Sequence, residues 1–337
     1  MIDFFEKREV PIFIAELGAK YADMEILTGM VKQAKAAGAN MVKFQTYEAE
    51  TISTPGSIFT MEDGSKVSQF DFFKAYELSK ADHDILIAVC KIEGIEWCST
   101  PSHPRDVKLL EELGTKYYKL GSDDLTNTPF IKHISSFQKP LLLSTGMCVL
   151  GEIEKAIDAF FTTGNKQLVL LHCVVSYPAK PEDANLRVIE TLKKAFGLPV
   201  GLSDHTQGEF TSILAAQMGV CLIEKHFTPD HAMKLPDHQA SLDPEQFKKM
   251  TDSVKLVNCT LGDGVKRILK TEEKWRKSAR KSIFTTRAIK KGEIITADDL
   301  CMRRPSDGIH PHYFDLIIGR AAVRDIEENA LLTWDMV

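Results

Sequence analysis

The chain has 337 residues, a formal net charge of -5 and a hydrophobic content of 44%, which is ordinary for a globular protein. No apolar stretch approaches the roughly 18 residues that a bilayer-spanning helix needs. The charged N-terminus is not typical of a secretory signal, so we expect a cytoplasmic protein that does not bind membranes. Positive and negative residues are interspersed and leave no basic face for nucleic acid, so we expect a small substrate.

Short apolar runs alternate with amphipathic segments from residue 11 to about residue 260. The segments carry apolar residues at positions i, i+3 and i+4, which is typical of helices packed on one face. Strand alternating with helix about eight times predicts a (β/α)8 TIM barrel, which needs roughly 250 residues. The eight runs are residues 11–15, 41–44, 95–99, 117–120, 140–144, 168–172, 199–202 and 220–224.

The composition predicts two domains joined by a charged segment. Residues 1–260 form the predicted barrel, residues 261–281 a linker rich in Lys, Arg and Glu, and residues 282–337 a small β-rich domain with several turns. The stretch 47–77 carries Thr, Ser, Pro and Gly and is too long for a routine barrel loop. We therefore expect it to pass over the mouth of the barrel.

Two histidines follow the last two apolar runs, each beside an acidic residue. His205 comes after Asp204, and His226 lies two residues after Glu224. Neutral imidazoles suit Mn, Fe, Co, Ni or Zn, and a site with only two of them leaves positions open for water and substrate. Each histidine alone could be a hydrogen-bonded strand-end or core residue. Their matching positions favour a catalytic metal site.

Polar residues at the strand ends of a barrel converge on one mouth. Lys43 and Lys119, together with several hydroxyls, match what a phosphate and a carboxylate would need, although each lysine could instead extend to solvent. Asp237 could bind sugar hydroxyls or form a turn, and Arg304 reaches a ligand only if the small domain covers a barrel mouth. The converging residues are Glu16, Lys43, Gln45, Thr100, Lys119, Ser122, Ser144, Tyr177, Ser203, His205, Glu224 and His226.

The motifs around these residues resemble the sialic acid synthase family over nearly the whole chain. The segment from Ala279 to Val337 is similar to that family's antifreeze-like (SAF) domain. The motifs are Ala15-Glu16-Leu17-Gly18, Val42-Lys43-Phe44-Gln45, Tyr118-Lys119-Leu120-Gly121-Ser122, Leu143-Ser144-Thr145-Gly146-Met147, Gly201-Leu202-Ser203-Asp204-His205-Thr206 and Ile223-Glu224-Lys225-His226-Phe227-Thr228.

This resemblance implies that phosphoenolpyruvate condenses with an open-chain N-acyl aminohexose, giving a nine-carbon 2-keto sugar acid and phosphate. It implies a divalent metal, Mn or Mg, held by His205 and His226. It also implies a domain-swapped homodimer in which Arg304 of one protomer covers the barrel of the other. By position, the resemblance assigns catalytic roles to Glu16, Gln45 and Glu224, phosphoenolpyruvate binding to Lys43, Thr100, Lys119, Ser122, Ser144 and Ser203, and sugar binding to Asp124, Tyr177, Asp237 and Arg304.

Two departures from the family pattern concern the substrate pocket. The loop after Glu16 reads 18–22 Gly-Ala-Lys-Tyr-Ala instead of an Asn-His pair, and Val175 stands where relatives carry a polar residue. The loop 236–238 is closer to neuraminate synthases and residues 304–311 are closer to pseudaminate synthases. We expect N-acetylmannosamine as the sugar, with legionaminate and pseudaminate precursors left open. A non-condensing sugar-binding relative and a metal-dependent pyruvate aldolase are the competing hypotheses.

Overall fold

Eight parallel strands close into a barrel, in the order β1-β10-β9-β8-β7-β6-β5-β2. The structure is a computed structural model that describes residues 2–20, 23–60, 66–233 and 240–337. It confirms the predicted (β/α)8 barrel. The barrel strands are β1 (Ile12–Gly18), β2 (Met41–Thr46), β5 (Glu96–Pro101), β6 (Tyr118–Leu120), β7 (Leu141–Ser144), β8 (Leu168–Cys173), β9 (Val200–Asp204) and β10 (Leu222–His226), and the short strands β3 (Ile58–Thr60) and β4 (Lys66–Ser68) pair with each other outside it.

Helices follow the barrel strands and cover the outside of the barrel. The start of the last one shows how the sequence sets a boundary: Asp243 accepts a hydrogen bond from the backbone N–H of Gln246, with Pro244 in the first turn. No helix in the described ranges is long and apolar enough to cross a bilayer. The helices are α1 (Met24–Ala36), α2 (Ala49–Ile52), α3 (Gln69–Ala75), α4 (Lys80–Glu93), α5 (Pro104–Glu112), α6 (Thr128–Ser135), α7 (Leu150–Phe161), α8 (Val188–Phe196), α9 (Phe210–Gln217) and α10 (Pro244–Leu261).

The barrel interior changes from apolar to polar toward the carboxyl ends of the strands, as β10 shows. Successive side chains of a strand alternate between the two faces, so the inward positions of β10 are Leu222, Glu224 and His226. Leu222 belongs to an inner apolar cluster that also contains Phe4 and Tyr117, whose rings make an edge contact with centroids 5.4 Å apart. Glu224 and His226 line a cavity at the carboxyl ends. The apolar cluster thus fills the lower part of the barrel and is called the packed floor below. The polar residues that line the cavity above it are called the polar cup.

The segment after β2 does not continue directly into a barrel helix. It forms α2, the β3–β4 pair and α3, and then α4 begins the return to the barrel with the capping pair Ser79 and Asp82. Tyr47, Ile52, Phe59 and Phe73 from this segment line the same cavity as the strand ends. This agrees with the expectation that the stretch 47–77 passes over the mouth.

The chain divides into two compact units, Met1–Gly262 and Asp263–Val337. The second unit has its own apolar core, which includes Ile283, Ile289, Ile295 and Leu332. Its elements are α11 (Glu273–Ala279), β11 (Ser282–Thr285), the antiparallel partner strand β12 (Leu300–Arg303) and α12 (Phe314–Ile317).

Gly201 in β9 occupies an inward position in the packed floor, and this makes it a sensitive test of the layering. A Cβ at this position would lie 2.7 Å from Cδ2 of Leu171 and 2.7 Å from Cγ of Leu222. Overpacking of this kind typically costs about 1–3 kcal/mol. We therefore expect Gly201→Ala to lower the free energy of unfolding in urea by about that amount.

Gly29 in α1 provides the matched control, because no heavy atom lies within 4 Å of the Cβ it would gain. Gly29→Ala should stabilise the helix by roughly 0.5–1 kcal/mol. If Gly201→Ala and Gly29→Ala changed the free energy of unfolding by equally small amounts, Gly201 would not lie in a tightly packed floor.

Candidate active site

A cavity of about 380 Å3 opens at the carboxyl ends of the barrel strands. In a barrel of this type the strand ends are where functional groups collect. Most of the side chains that the sequence singled out line this one cavity. They are Glu16, Lys43, Gln45, Thr100, Lys119, Ser122, Ser144, Tyr177, Ser203, His205, Glu224 and His226.

Lys43 on β2 is held between an acidic residue and a hydroxyl. Its Nζ lies 2.6 Å from Oε2 of Glu16 and 3.2 Å from the hydroxyl of Thr100. The Nε2 of Gln45 donates to the other oxygen of Glu16 at 3.1 Å. The side chains of Lys43 and Glu16 are 6% and 1% exposed. These four side chains therefore form a buried polar cluster whose geometry is already fixed by their mutual contacts.

Lys119 lies on β6, two strands around the barrel from β2. Its Nζ donates to the hydroxyl of Ser144 at 2.7 Å and lies 3.7 Å from Oε1 of Glu224. The hydroxyl of Ser203 donates to the same oxygen of Glu224 at 2.9 Å. The hydroxyl of Ser122 accepts a hydrogen bond from the backbone N–H of residue 146 at 2.9 Å. Two buried ammonium groups thus face one small space lined with hydroxyls.

The two carboxyl groups of the cavity have opposite pKa shifts. Burial by itself raises the pKa of Glu224, but the charges of Lys119 and Lys43 and the Ser203 hydroxyl outweigh it and lower that pKa to about 2. For Glu16, burial dominates over the opposing charge of Lys43, and the nearby carboxylate of Glu224 adds to it, so the pKa is raised above 4.5. Glu224 is therefore ionised at neutral pH, while Glu16 is the group that takes up a proton more readily.

His205 and His226 come together above this polar cup. Their ring centroids are 5.3 Å apart, and the ring of Tyr177 contacts both imidazoles, at 4.3 Å and 5.8 Å. Nδ1 of His205 lies 2.8 Å from the carbonyl oxygen of Val174, so it donates its proton there and leaves the lone pair on Nε2. This is the tautomer that a metal-binding imidazole needs.

The donor set fits a divalent metal in an open site. Within the described ranges, no cluster of three or more His, Cys, Asp or Glu side chains has the geometry of a metal site. The two imidazoles therefore would leave several positions for water and substrate oxygens. Oε2 of Glu224 is buried and has no hydrogen-bond partner among the residues that the structure describes. A buried carboxylate oxygen without a hydrogen-bond partner is costly, and a bound cation or a donor group of a substrate would satisfy it.

The remaining predicted sugar-binding residues are Asp124, Asp237 and Arg304. Asp124 does not line the cavity; its Oδ1 accepts a hydrogen bond from Asn127 at 2.9 Å, and its neighbour Asp123 lines the cavity instead. Asp237 and the loop 236–238 lie outside the described residues. Arg304 belongs to the second unit, so its role in this site stays a prediction that depends on the domain-swapped homodimer.

Residues of the stretch 47–77 form an apolar wall along the cavity, which the sequence did not predict. Phe73 makes edge contacts with Tyr47 and Phe59, with ring centroids 5.3 and 5.8 Å apart. Ile52 also lines the cavity, and Met147 and Val175 line it from the loops after β7 and β8. The stretch 47–77 is rich in aromatic residues, which was the one feature of the sequence that could have predicted this wall. The spacing of these residues follows neither a strand nor a helix period, so it does not show which of them face the cavity.

The chain thus consists of a closed parallel barrel, with two lysines and two imidazoles at its mouth, and a second unit that contains an antiparallel strand pair. The chain belongs to the NeuB family, whose model matches residues 30–266, and the SAF domain model matches residues 280–337. The resemblance found in the motifs is therefore confirmed.

Individual relatives cover almost the whole chain. It is 38% identical to the N,N'-diacetyllegionaminic acid synthase of Legionella pneumophila, over 96% of this chain and 94% of the relative. It is 33% identical to a pseudaminic acid synthase of Campylobacter jejuni, over 93% of each. Among solved structures, an N-acetylneuraminic acid synthetase from Leptospira borgpetersenii is 29% identical and superimposes with a TM-score of 0.70, over 79% of this chain and 90% of the other.

Proposed function

We propose that the protein condenses phosphoenolpyruvate with an open-chain N-acyl aminohexose to give a nine-carbon 2-keto sugar acid and inorganic phosphate. The observation that carries this proposal is the buried pair Lys43 and Lys119 facing hydroxyls and two imidazoles in one cavity. The ammonium groups offer point charges for phosphate and carboxylate, and the hydroxyls offer neutral donors. The relatives named above support the sugar acid as product.

Charge balance explains why the site would need a cation and a proton as well. Lys43 and Lys119 are offset by Glu16 and Glu224, so the cavity by itself is nearly neutral. Phosphoenolpyruvate brings up to three negative charges into a buried space, where unpaired charge is expensive. A divalent Mn or Mg ion held by His205 and His226, together with a proton on Glu16, would restore neutrality.

The residues divide the work of the proposed reaction between the two substrates. A bound divalent ion would act as a Lewis acid that polarises the sugar aldehyde. C3 of phosphoenolpyruvate forms the new C–C bond to the aldehyde carbon, and the aldehyde oxygen becomes a hydroxyl by taking a proton that Glu16 would supply. Water adds at C2 and gives its proton to Glu224. The C2–O bond to phosphate then breaks, and the C2 hydroxyl becomes the keto group as its proton passes to the departing phosphate. A proton lost from Glu224 and one regained by Glu16 restore the site for the next turnover.

The apolar wall favours a deoxygenated sugar over a polyol. Phe59 and Phe73 line the cavity and offer no hydrogen-bond partner to a sugar hydroxyl, whereas methyl and acetamido groups pack well against aromatic rings. We therefore propose a 2,4-diacetamido-2,4,6-trideoxyhexose as the sugar, in place of the N-acetylmannosamine expected from the loop 236–238. The similarity to the legionaminic acid synthase of Legionella pneumophila supports this choice.

Phosphate release from phosphoenolpyruvate tests the proposal directly. With Mn, the protein should release phosphate only when a sugar is present, and kcat/KM should be about 10–100-fold higher with the diacetamido sugar than with N-acetylmannosamine. Phe73→Ala should lower the ratio of kcat/KM for the diacetamido sugar to kcat/KM for N-acetylmannosamine. Phe210→Ala, which changes an exposed phenylalanine on α9 that does not line the cavity, should leave it unchanged.

Two results would count against parts of this proposal. A higher kcat/KM with N-acetylmannosamine would reject the role given to the apolar wall and keep the condensation. Binding of phosphoenolpyruvate and sugar without phosphate release from any sugar offered would favour the non-condensing sugar-binding relative.

A further inference from the structure

A fully buried ion pair lies directly behind the two histidines. The Nζ of Lys225 is 3.0 Å from Oδ2 of Asp204, and the two side chains are 0% and 1% exposed. They are direct partners in the register between β9 and β10. Asp204 immediately precedes His205, and Lys225 immediately precedes His226. The pair therefore joins the two strands one residue before their imidazoles.

The ion pair faces the helices and not the cavity. Oδ2 of Asp204 accepts a hydrogen bond from the hydroxyl of Ser212 on α9 at 2.7 Å. Its Oδ1 accepts from both the backbone N–H and the hydroxyl of Thr206, at 2.9 and 2.7 Å. Lys225 also donates to the carbonyl oxygen of Thr206. Because successive side chains alternate between faces, this arrangement sends both imidazoles into the barrel.

Stability alone does not account for such a pair. A buried ion pair can often be replaced by apolar residues with no loss of stability, whereas separating its members is strongly unfavourable. Sliding or rotating β9 against β10 would pull Asp204 and Lys225 apart in a medium where no water can replace either partner. The pair therefore resists the strand movements that would change the spacing of the imidazoles.

We propose that Asp204 and Lys225 are positioning residues that hold β9 and β10 in register, so that His205 and His226 offer their imidazoles to one divalent cation. This inference rests on the metal site of the proposed function. It predicts that the pair can be removed with the fold retained, and that cation affinity is lost nonetheless.

The test is the double variant Asp204→Asn/Lys225→Met, which removes both charges together and so leaves no single buried charge. Binding of Mn2+ alone is measured by electron paramagnetic resonance on the full-length protein, and folding by circular dichroism and Tm. The Kd for Mn2+ should rise about 10–100-fold, the range typical for loss of groups that orient metal ligands.

A matched control removes an ion pair that lies away from the cavity. Glu111→Gln/Lys139→Met deletes a contact of 2.6 Å between α5 and the start of β7 and should leave the Kd for Mn2+ unchanged, whatever its effect on Tm. If the first double variant does not fold, Ser212→Ala serves in its place. It removes one hydrogen bond to Asp204, keeps both charges and should raise the Kd about threefold.

The outcomes separate this inference from the function on which it rests. Wild-type binding of Mn2+ that is lost in His226→Ala establishes the metal site. If the wild type shows such binding and the folded pair variant binds Mn2+ equally tightly, the positioning role is overturned and the metal site stands. If the wild type and His226→Ala do not differ, the metal site fails, and the positioning role fails with it.

Discussion

His226→Ala is expected to abolish sugar-dependent phosphate release and to remove Mn2+ binding. The imidazole of His226 lies with that of His205 over the polar cup, at a centroid distance of 5.3 Å, and a single imidazole provides too few donors to retain the ion. Lewis-acid activation supplies several kcal/mol of transition-state stabilisation, so kcat should fall by about three orders of magnitude. The measurement is initial phosphate release at saturating phosphoenolpyruvate and sugar, with added Mn.

His172→Ala is the control for this substitution. His172 is as buried as His226, at 6% against 8% exposure, but its Nε2 contacts the carbonyl oxygen of Ala184 at 2.7 Å and it does not line the cavity. It should lower Tm and leave the response to Mn intact. Undiminished, Mn-stimulated turnover in His226→Ala would refute the two-histidine site.

The positions of the strand ends could be predicted because the apolar runs and the period of two are written into the sequence. The run of β10, for example, ends where the inward residue changes from Leu222 to Glu224. Strand alternation then places His226 on the same face as Glu224. This local regularity was sufficient to gather most of the candidate site from the sequence.

The other parts of the candidate site depend on loop and turn geometry, which no periodic pattern in the sequence indicates. Asp123 and Asp124 are adjacent in a short turn of 3-10 helix, and only the fold decides which of them faces the cavity. The aromatic residues Tyr47 and Phe73 reach the site from different elements, so no spacing in the sequence relates them. The ion pair of Asp204 and Lys225 could not be predicted either, because the pairing depends on the register between β9 and β10, which no spacing in the sequence shows.

Lys119→Ala is expected to reduce kcat/KM for phosphoenolpyruvate by about 10³-fold, the effect of removing one partner of a buried charged contact at roughly 3–5 kcal/mol. The substitution removes the donor to Ser144 and the cation nearest to one oxygen of Glu224. The decrease in kcat/KM should be larger for phosphoenolpyruvate than for the sugar. The reason is that the ammonium group binds a phosphate or carboxylate more strongly than a neutral hydroxyl.

Lys139→Met is the matched control, since this lysine binds Glu111 away from the cavity and should leave turnover intact. The same pair of variants separates the proposed synthase from a metal-dependent pyruvate aldolase. Pyruvate has no phosphate, so an aldolase would keep much of its activity without Lys119. Retained C–C bond formation from pyruvate in Lys119→Ala would therefore reject phosphoenolpyruvate as the substrate. If the wild type uses phosphoenolpyruvate, and turnover is lost in Lys119→Ala but not in Lys139→Met, the ammonium group of Lys119 would be assigned to phosphoenolpyruvate binding.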